Sequence, residues 1–134
     1  MAVALVIVSH SARLADGVVE LAGQMSRGDA RLIAAGGTDD ERLGTSVTKV
    51  LRAIEEADSP DGVLILFDLG SARLATEMAL EQLSAERRAR VTISDAPLVE
   101  GAVVAAVEAS IGSPLSAVAA TAHEAINLDK LSHG

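Results

Sequence analysis

Two short stretches of the chain carry the residues best suited to chemistry. His10-Ser11 follows an unbroken apolar run, Val3 to Ser9 (VALVIVS), and Asp68-Leu69-Gly70-Ser71 follows a second one, Val63 to Phe67 (VLILF). An imidazole that attacks phosphorus needs one ring nitrogen as a free lone pair. A carboxylate that accepts a hydrogen bond from the other N–H fixes that tautomer and steadies the positive ring that forms. His10 is the candidate nucleophile, a phosphoryl acceptor, and Asp68 the candidate orienting partner. Ser11, Gly70 and Ser71 are small and stand where helices begin. Backbone N–H groups at helix starts bind phosphoryl oxygens, each charge-assisted contact contributing about 1.5–3 kcal/mol. Such a site needs no lysine and no metal. Taken singly, a histidine also reads as a structural or surface residue, and residues 68–71 as a turn and helix cap. His123, among alanines, and His133, in the tail, are read as structural or solvent-facing. Glu100 is a first-turn acidic residue that suits the helix dipole.

The elements that must hold these residues alternate. Both apolar runs lack polar alternation, the pattern of strands covered on two faces in a parallel sheet. Leu14, Val18, Leu21 and Met25 recur at helical spacing through Arg13 to Met25, and Gly28 follows as a stop. Arg31 to Ala35 is a weaker strand, and Thr45 to Ala57 places Val47, Val50, Leu51 and Ile54 on one helical face. Between them lies the polar loop Gly36 to Gly44, long enough to act as a lid, with Gly37 and Thr38 as site-lining candidates. The loop has no Walker ending, and no G-x-G-x-x-G occurs, so it gives little support for nucleotide binding. After the turn Ser59 to Gly62 and the second apolar strand comes a helix expected to bury Leu74, Ala75, Met78, Ala79 and Leu83. Val91 to Ser94 is a fourth strand. An Ala- and Val-rich helix, Leu98 to Ile111, and a last helix, Leu115 to Ile126, flank the break Gly112-Ser113-Pro114.

Strands alternating with helices call for an α/β fold, a flavodoxin-like doubly wound sheet with a four-stranded parallel core in the order 2-1-3-4 and helices on both faces. In such sheets ligands bind beyond the carboxyl ends of the strands, where neighbouring connections diverge. If the two apolar strands are neighbours, His10 and Asp68 meet there.

At 134 residues the chain is expected to form one compact domain, 1–134. Its formal charge of −8 and its single aromatic residue, Phe67, remove the basic stripe and stacking platforms of a nucleic-acid surface. No cysteine is present, which excludes disulfides and zinc–thiolate sites. The run before His10 is only strand-length and has no basic leader, so a cytoplasmic protein without a membrane span is expected. Residues 101–122 carry few charges and many small apolar side chains, more than one small domain needs to cover its sheet, and so suggest a homodimer.

LVIVSHSARLADGVVELAGQM (Leu5 to Met25), AAGGTDDERLGTS (Ala34 to Ser46), GVLILFDLGSA (Gly62 to Ala72) and APLVEG (Ala96 to Gly101) occur in that order. The sequence resembles the IIA-like domain of the dihydroxyacetone kinase phosphotransfer subunit, a relative of the mannose-class IIA domains of the sugar phosphotransferase system. The resemblance covers about residues 3 to 126 and is most specific in FDLGSA and APLVEG. It implies that His10 accepts a phosphoryl group originating in phosphoenolpyruvate from a histidine-phosphorylated carrier protein, with Asp68 as its partner. It further implies delivery to ADP held in a nucleotide-binding kinase subunit, while another subunit holds dihydroxyacetone. Homodimers are typical of such proteins, and no cofactor bound to this chain is implied. Some members carry fused carrier domains; a chain ending at Gly134 is expected to use separate donors. Two alternatives stay open: a mannose-class IIA component of a sugar transporter, and a non-catalytic regulatory α/β domain in which His10 is never phosphorylated.

Overall fold

The computed structural model describes residues 2–131, which leaves His133 outside the described residues. Four strands, β1 (Ala4–Ser9), β2 (Arg31–Gly36), β3 (Val63–Phe67) and β4 (Val91–Ser94), form one parallel sheet in the order β2-β1-β3-β4. Helices α1 (Ala12–Met25), α2 (Val47–Ala57), α3 (Gly70–Leu80), α5 (Leu98–Ser110) and α6 (Leu115–Glu124) surround it, with a short helix α4 (Ala85–Arg88) before β4. A 3-10 turn, Ala125–Asn127, follows α6. The expected fold class and strand order are those observed.

The sheet sorts its side chains by parity. Val3, Leu5 and Ile7 join Leu64 and Leu66 in a core with α1, α5 and α6, whereas Ala4, Val6 and Val8 join Val63 and Ile65 in a second core with α2 and α3. All six residues of β1 are buried, which explains why the strand has no polar alternation. In the β1–β3 register Val8 faces Phe67, so the next residues on each strand, Ser9 and Asp68, come opposite one another at the carboxyl edge. The ladder continues one step beyond β3, where the Asp68 amide donates to the Val8 carbonyl at 3.2 Å.

The helices pack through small residues, and this corrects two expectations. On α3 the buried face is Ala72, Ala75, Thr76, Ala79 and Leu80, while Leu74 and Met78 are 65% and 47% exposed. Leu83 lies beyond the helix and is partly buried. Alanines let the helix axis approach the sheet, and larger residues at neighbouring positions turn outward. α1 behaves alike, burying Ala15, Val18 and Ala22 and exposing Leu14, Leu21 and Met25. The stretch offered as a spare face is also used internally: Gly101, Ala102, Ala105, Ala106 and Ala109 of α5 and Val118 and Ala122 of α6 are buried within the chain. A Cβ on Gly101 would lie 2.8 Å from the Ala96 Cβ, so APLVEG is in part a packing motif that seats α5 on the sheet.

Gly36 ends β2 where α1 begins. A Cβ there would lie 2.5 Å from the Ser11 carbonyl oxygen and 2.8 Å from the Ala12 Cα, both backbone atoms that no rotamer change can move. Gly36→Ala is therefore expected to destabilise the protein by about 1–3 kcal/mol. Denaturant unfolding checks this, and an unchanged midpoint would contradict the close approach.

Candidate active site

His10 and Asp68 are the first residues past the two central strands, and the register brings them together without any long-range loop movement. His10 Nδ1 lies 2.9 Å from Asp68 Oδ1, and His10 Nε2 lies 2.6 Å from the Ser71 hydroxyl. An ionised carboxylate can only accept, so Nδ1 carries the proton in this contact, and Nε2 presents its lone pair towards the Ser71 O–H. The His10 side chain is 24% exposed and that of Asp68 12%, so the ring is reachable while its anchor is withdrawn.

Asp68 is held by four donors. Oδ1 accepts from His10 Nδ1 and from the Leu69 amide at 2.7 Å; Oδ2 accepts from the His10 amide and from the Ser9 hydroxyl, each at 2.9 Å. Burial pushes its pKa up, but the bonds from the His10 backbone and ring, from Ser9 and from Leu69 outweigh burial and hold it below the usual aspartate value. Ser9 is wholly buried and was not marked in the sequence. Its only signal there is a hydroxyl closing an otherwise apolar strand.

Two helices start at the site with different chemistry. α1 is capped by Ser11, whose hydroxyl accepts from the Leu14 amide at 3.2 Å. α3 has no side-chain cap, so its leading N–H groups, at Gly70 and Ser71, lack a side-chain acceptor. Nothing lies within 4 Å of the position a Cβ would take on Gly70, which leaves the start of α3 open there. The loop after β2 is tied down at both ends: the Gly37 amide donates to the Ser9 carbonyl at 3.1 Å and the Gly44 amide to the His10 carbonyl at 2.8 Å. Gly37 thus borders the site with φ +75°, a conformation that favours glycine. Thr38 is turned into the loop, where its hydroxyl bonds Asp40 and the Arg42 backbone. In this structure the loop stands beside the site as a wall tethered at both ends.

The remaining candidates lie elsewhere. His123 is exposed and 3.2 Å from Asp95, and Glu100 pairs with Lys130. Among the described residues no group of three or more His, Cys, Asp or Glu could hold a metal ion, and no helix is long and apolar enough to cross a membrane.

The chain belongs to the PTS system fructose IIA component family, whose sequence model matches residues 4–119. It is 49% identical over 117 residues to the phosphoryl donor subunit of PEP-dependent dihydroxyacetone kinase from Escherichia coli K12, a match covering 85% of this chain and 25% of that protein. The chain therefore spans about a quarter of that relative's length. It is 38% identical over 116 residues to the phosphoryl donor subunit of PEP-dependent dihydroxyacetone kinase 2 from Listeria innocua, covering 87% of this chain and 93% of that one. A crystal structure of a protein of unknown function superposes with a TM-score of 0.84 at 37% identity, over 92% of this chain and 95% of that one.

The depressed pKa of Asp68 has a consequence for stability. A group whose folded pKa lies below its unfolded value stabilises the fold above the unfolded pKa and loses that contribution as pH falls through the folded one. Unfolding free energies measured at descending pH should therefore fall less steeply below the ordinary aspartate pKa in Asp68→Asn than in the parent. Parallel curves would contradict the network described.

Proposed function

We propose that the chain is a single phosphotransfer domain that takes a phosphoryl group on His10 Nε2 and passes it on within a PEP-dependent dihydroxyacetone kinase. The observation that carries this reading is the unequal treatment of the two ring nitrogens, Nδ1 bonded to a carboxylate and Nε2 to an exposed hydroxyl. In the forward step the Nε2 lone pair attacks the phosphorus of a histidine-phosphorylated carrier protein. The donor N–P bond breaks with its electrons returning to the donor ring, and the proton stays on His10 Nδ1. The His10 ring becomes cationic, and Asp68 balances that charge. For the oxygens, the Ser71 hydroxyl and the uncapped amides of α3 are the donors at hand. In the second step an ADP phosphate oxygen attacks, and the N–P electrons return to Nε2. In this reading the acceptor is ADP bound in a nucleotide-binding kinase subunit, another subunit holds dihydroxyacetone and the setting is cytoplasmic; what the relatives' names support is the coarser role of phosphoryl donor to a PEP-dependent dihydroxyacetone kinase.

Under this reading His10→Ala folds but takes up no acid-labile phosphate. Asp68→Asn keeps the shape and transfers about 10²- to 10⁴-fold more slowly. Mass spectrometry at neutral pH after incubation with the phosphoenolpyruvate cascade locates the phosphate. Finding it on His123 or His133, or undiminished in His10→Ala, would defeat the proposal. Reconstitution with the two kinase subunits, assayed for dihydroxyacetone phosphate, separates this function from service to a sugar transporter, which predicts phosphorylated His10 and no dihydroxyacetone phosphate.

A homodimer belongs to the same reading, on the part of residues 101–122 left exposed rather than on the alanines that are buried within the chain. Met25, Val107 and Ile111 are exposed around one cleft between the ends of α1 and α5, and this is apolar surface that a twin would cover. Light scattering at micromolar concentration should give the mass of two chains, and a monomeric mass would contradict it.

A further inference from the structure

We propose that Ser9 is a positioning residue: its hydroxyl, fixed between the Ser11 amide and the Asp68 carboxylate, holds that carboxylate in the orientation that presents Oδ1 to His10 Nδ1. The inference rests on the reading of His10 as a phosphoryl carrier and extends it by one residue. Ser9 is the last residue of β1 and is 0% exposed, in a strand whose other five residues are all apolar. A hydroxyl in such a place is costly unless both its donor and its acceptor capacity are used. Both are used here. Ser9 Oγ accepts from the Ser11 amide at 3.0 Å and donates its one proton to Asp68 Oδ2 at 2.9 Å.

The direction of the chain matters. Because the Ser11 N–H occupies a lone pair of Ser9 Oγ, the hydroxyl proton is aimed at the carboxylate. The relay runs from the first amide before α1, through Ser9, to Oδ2, while Oδ1 faces the ring. Ser9 and Asp68 share the sheet face of Leu5, Ile7, Leu64 and Leu66, so the strand register itself sets their approach. The one ionisable side chain bonded to Asp68 is His10; its other donors are the Ser9 hydroxyl and two amides. Among the described residues, the charged groups on the flanking elements are Arg13, Asp16 and Glu20 on α1, Arg73 and Glu77 on α3, and Asp39, Asp40, Glu41 and Arg42 in the loop, and none of them bonds Asp68. Removing the Ser9 hydroxyl thus takes away one of two donors from Oδ2 without touching the ring or the open Nε2 side.

The test compares Ser9→Ala and Ser9→Thr with the parent, the threonine variant retaining the hydroxyl. Ser9→Ala should still take phosphate on His10, with an uptake rate from the phosphorylated carrier protein about 10-fold lower, the loss associated with one hydrogen bond to a charged group. The acid limb of its pH–rate profile should move to higher pH, because a carboxylate with one donor fewer protonates more readily. Ser9→Thr should restore both. The titration of the Asp68 carboxyl, followed by carbon NMR in the free protein, should move upward in Ser9→Ala, a readout that needs no donor protein and no threonine variant. An unmoved Asp68 titration, or a Ser9→Ala rate equal to the parent's, would overturn the assignment. His10→Ala in the same assay keeps the two questions apart: phosphate taken up there defeats the carrier reading, whereas the NMR titration judges Ser9 on its own.

Discussion

The parallel pairing of β1 with β3 is the constraint on which the rest of the site depends. Register fixes Val8 opposite Phe67, and with it the meeting of Ser9, His10 and Asp68 just past the sheet edge. A slip of one residue would reverse the facing of every side chain along β3 and put Phe67 or Leu69 where the carboxylate now stands. Two cores, one on each face, oppose that slip, since Leu64 and Leu66 belong to one and Val63 and Ile65 to the other. The chemistry therefore inherits its precision from apolar packing several residues away, and none of the four donors around Asp68 has to define the geometry alone.

On the function proposed above, the same arrangement explains how an acidic chain can host an acidic ligand. Its formal charge is −8, yet no lysine or arginine is bonded to His10, Asp68 or Ser71 among the described residues. What the crevice offers is dipoles: a hydroxyl on Nε2 and the uncapped start of α3. Dipoles fixed by secondary structure need little reorganisation when charge arrives, and unlike a lysine they add no net attraction that would hold the phosphoryl group back from the next acceptor. A carrier must give up what it takes, and modest stabilisation on both sides of the transfer serves that better than a tight cationic clamp.

Much of this was legible in the sequence because the informative residues lie where patterns change. The runs VALVIVS and VLILF stop at a histidine and an aspartate, and alternation of strands with helices then leaves few topologies. Strand order, the two central strands and the His10–Asp68 meeting follow from that. Helix faces were harder to read. Leu74 and Met78 are apolar and periodic, but alanines one position away allow a closer approach to the sheet and take the buried face, so size complementarity overrides hydrophobic count. Thr38 bonds within its own loop, since a hydroxyl beside two glycines stabilises its own turn as readily as a ligand. The short helix α4 escaped notice because four residues give no periodicity, although Ser84 caps it.

Ser9 was hidden by its size. A serine at the end of an apolar strand reads as the place where the strand stops, and only the atomic arrangement shows a buried hydroxyl with both of its capacities filled. Gly36 was hidden in the same way, since a glycine opening a polar loop reads as flexibility, whereas here it clears the space into which the first turn of α1 descends. The two residues are opposite each other in the β1–β2 register, so Gly36 and Ser9 support the start of α1 from either strand. Replacing Gly36 would act on the ring through the backbone that carries it, whereas replacing Ser9 would act through the carboxylate that its hydroxyl bonds.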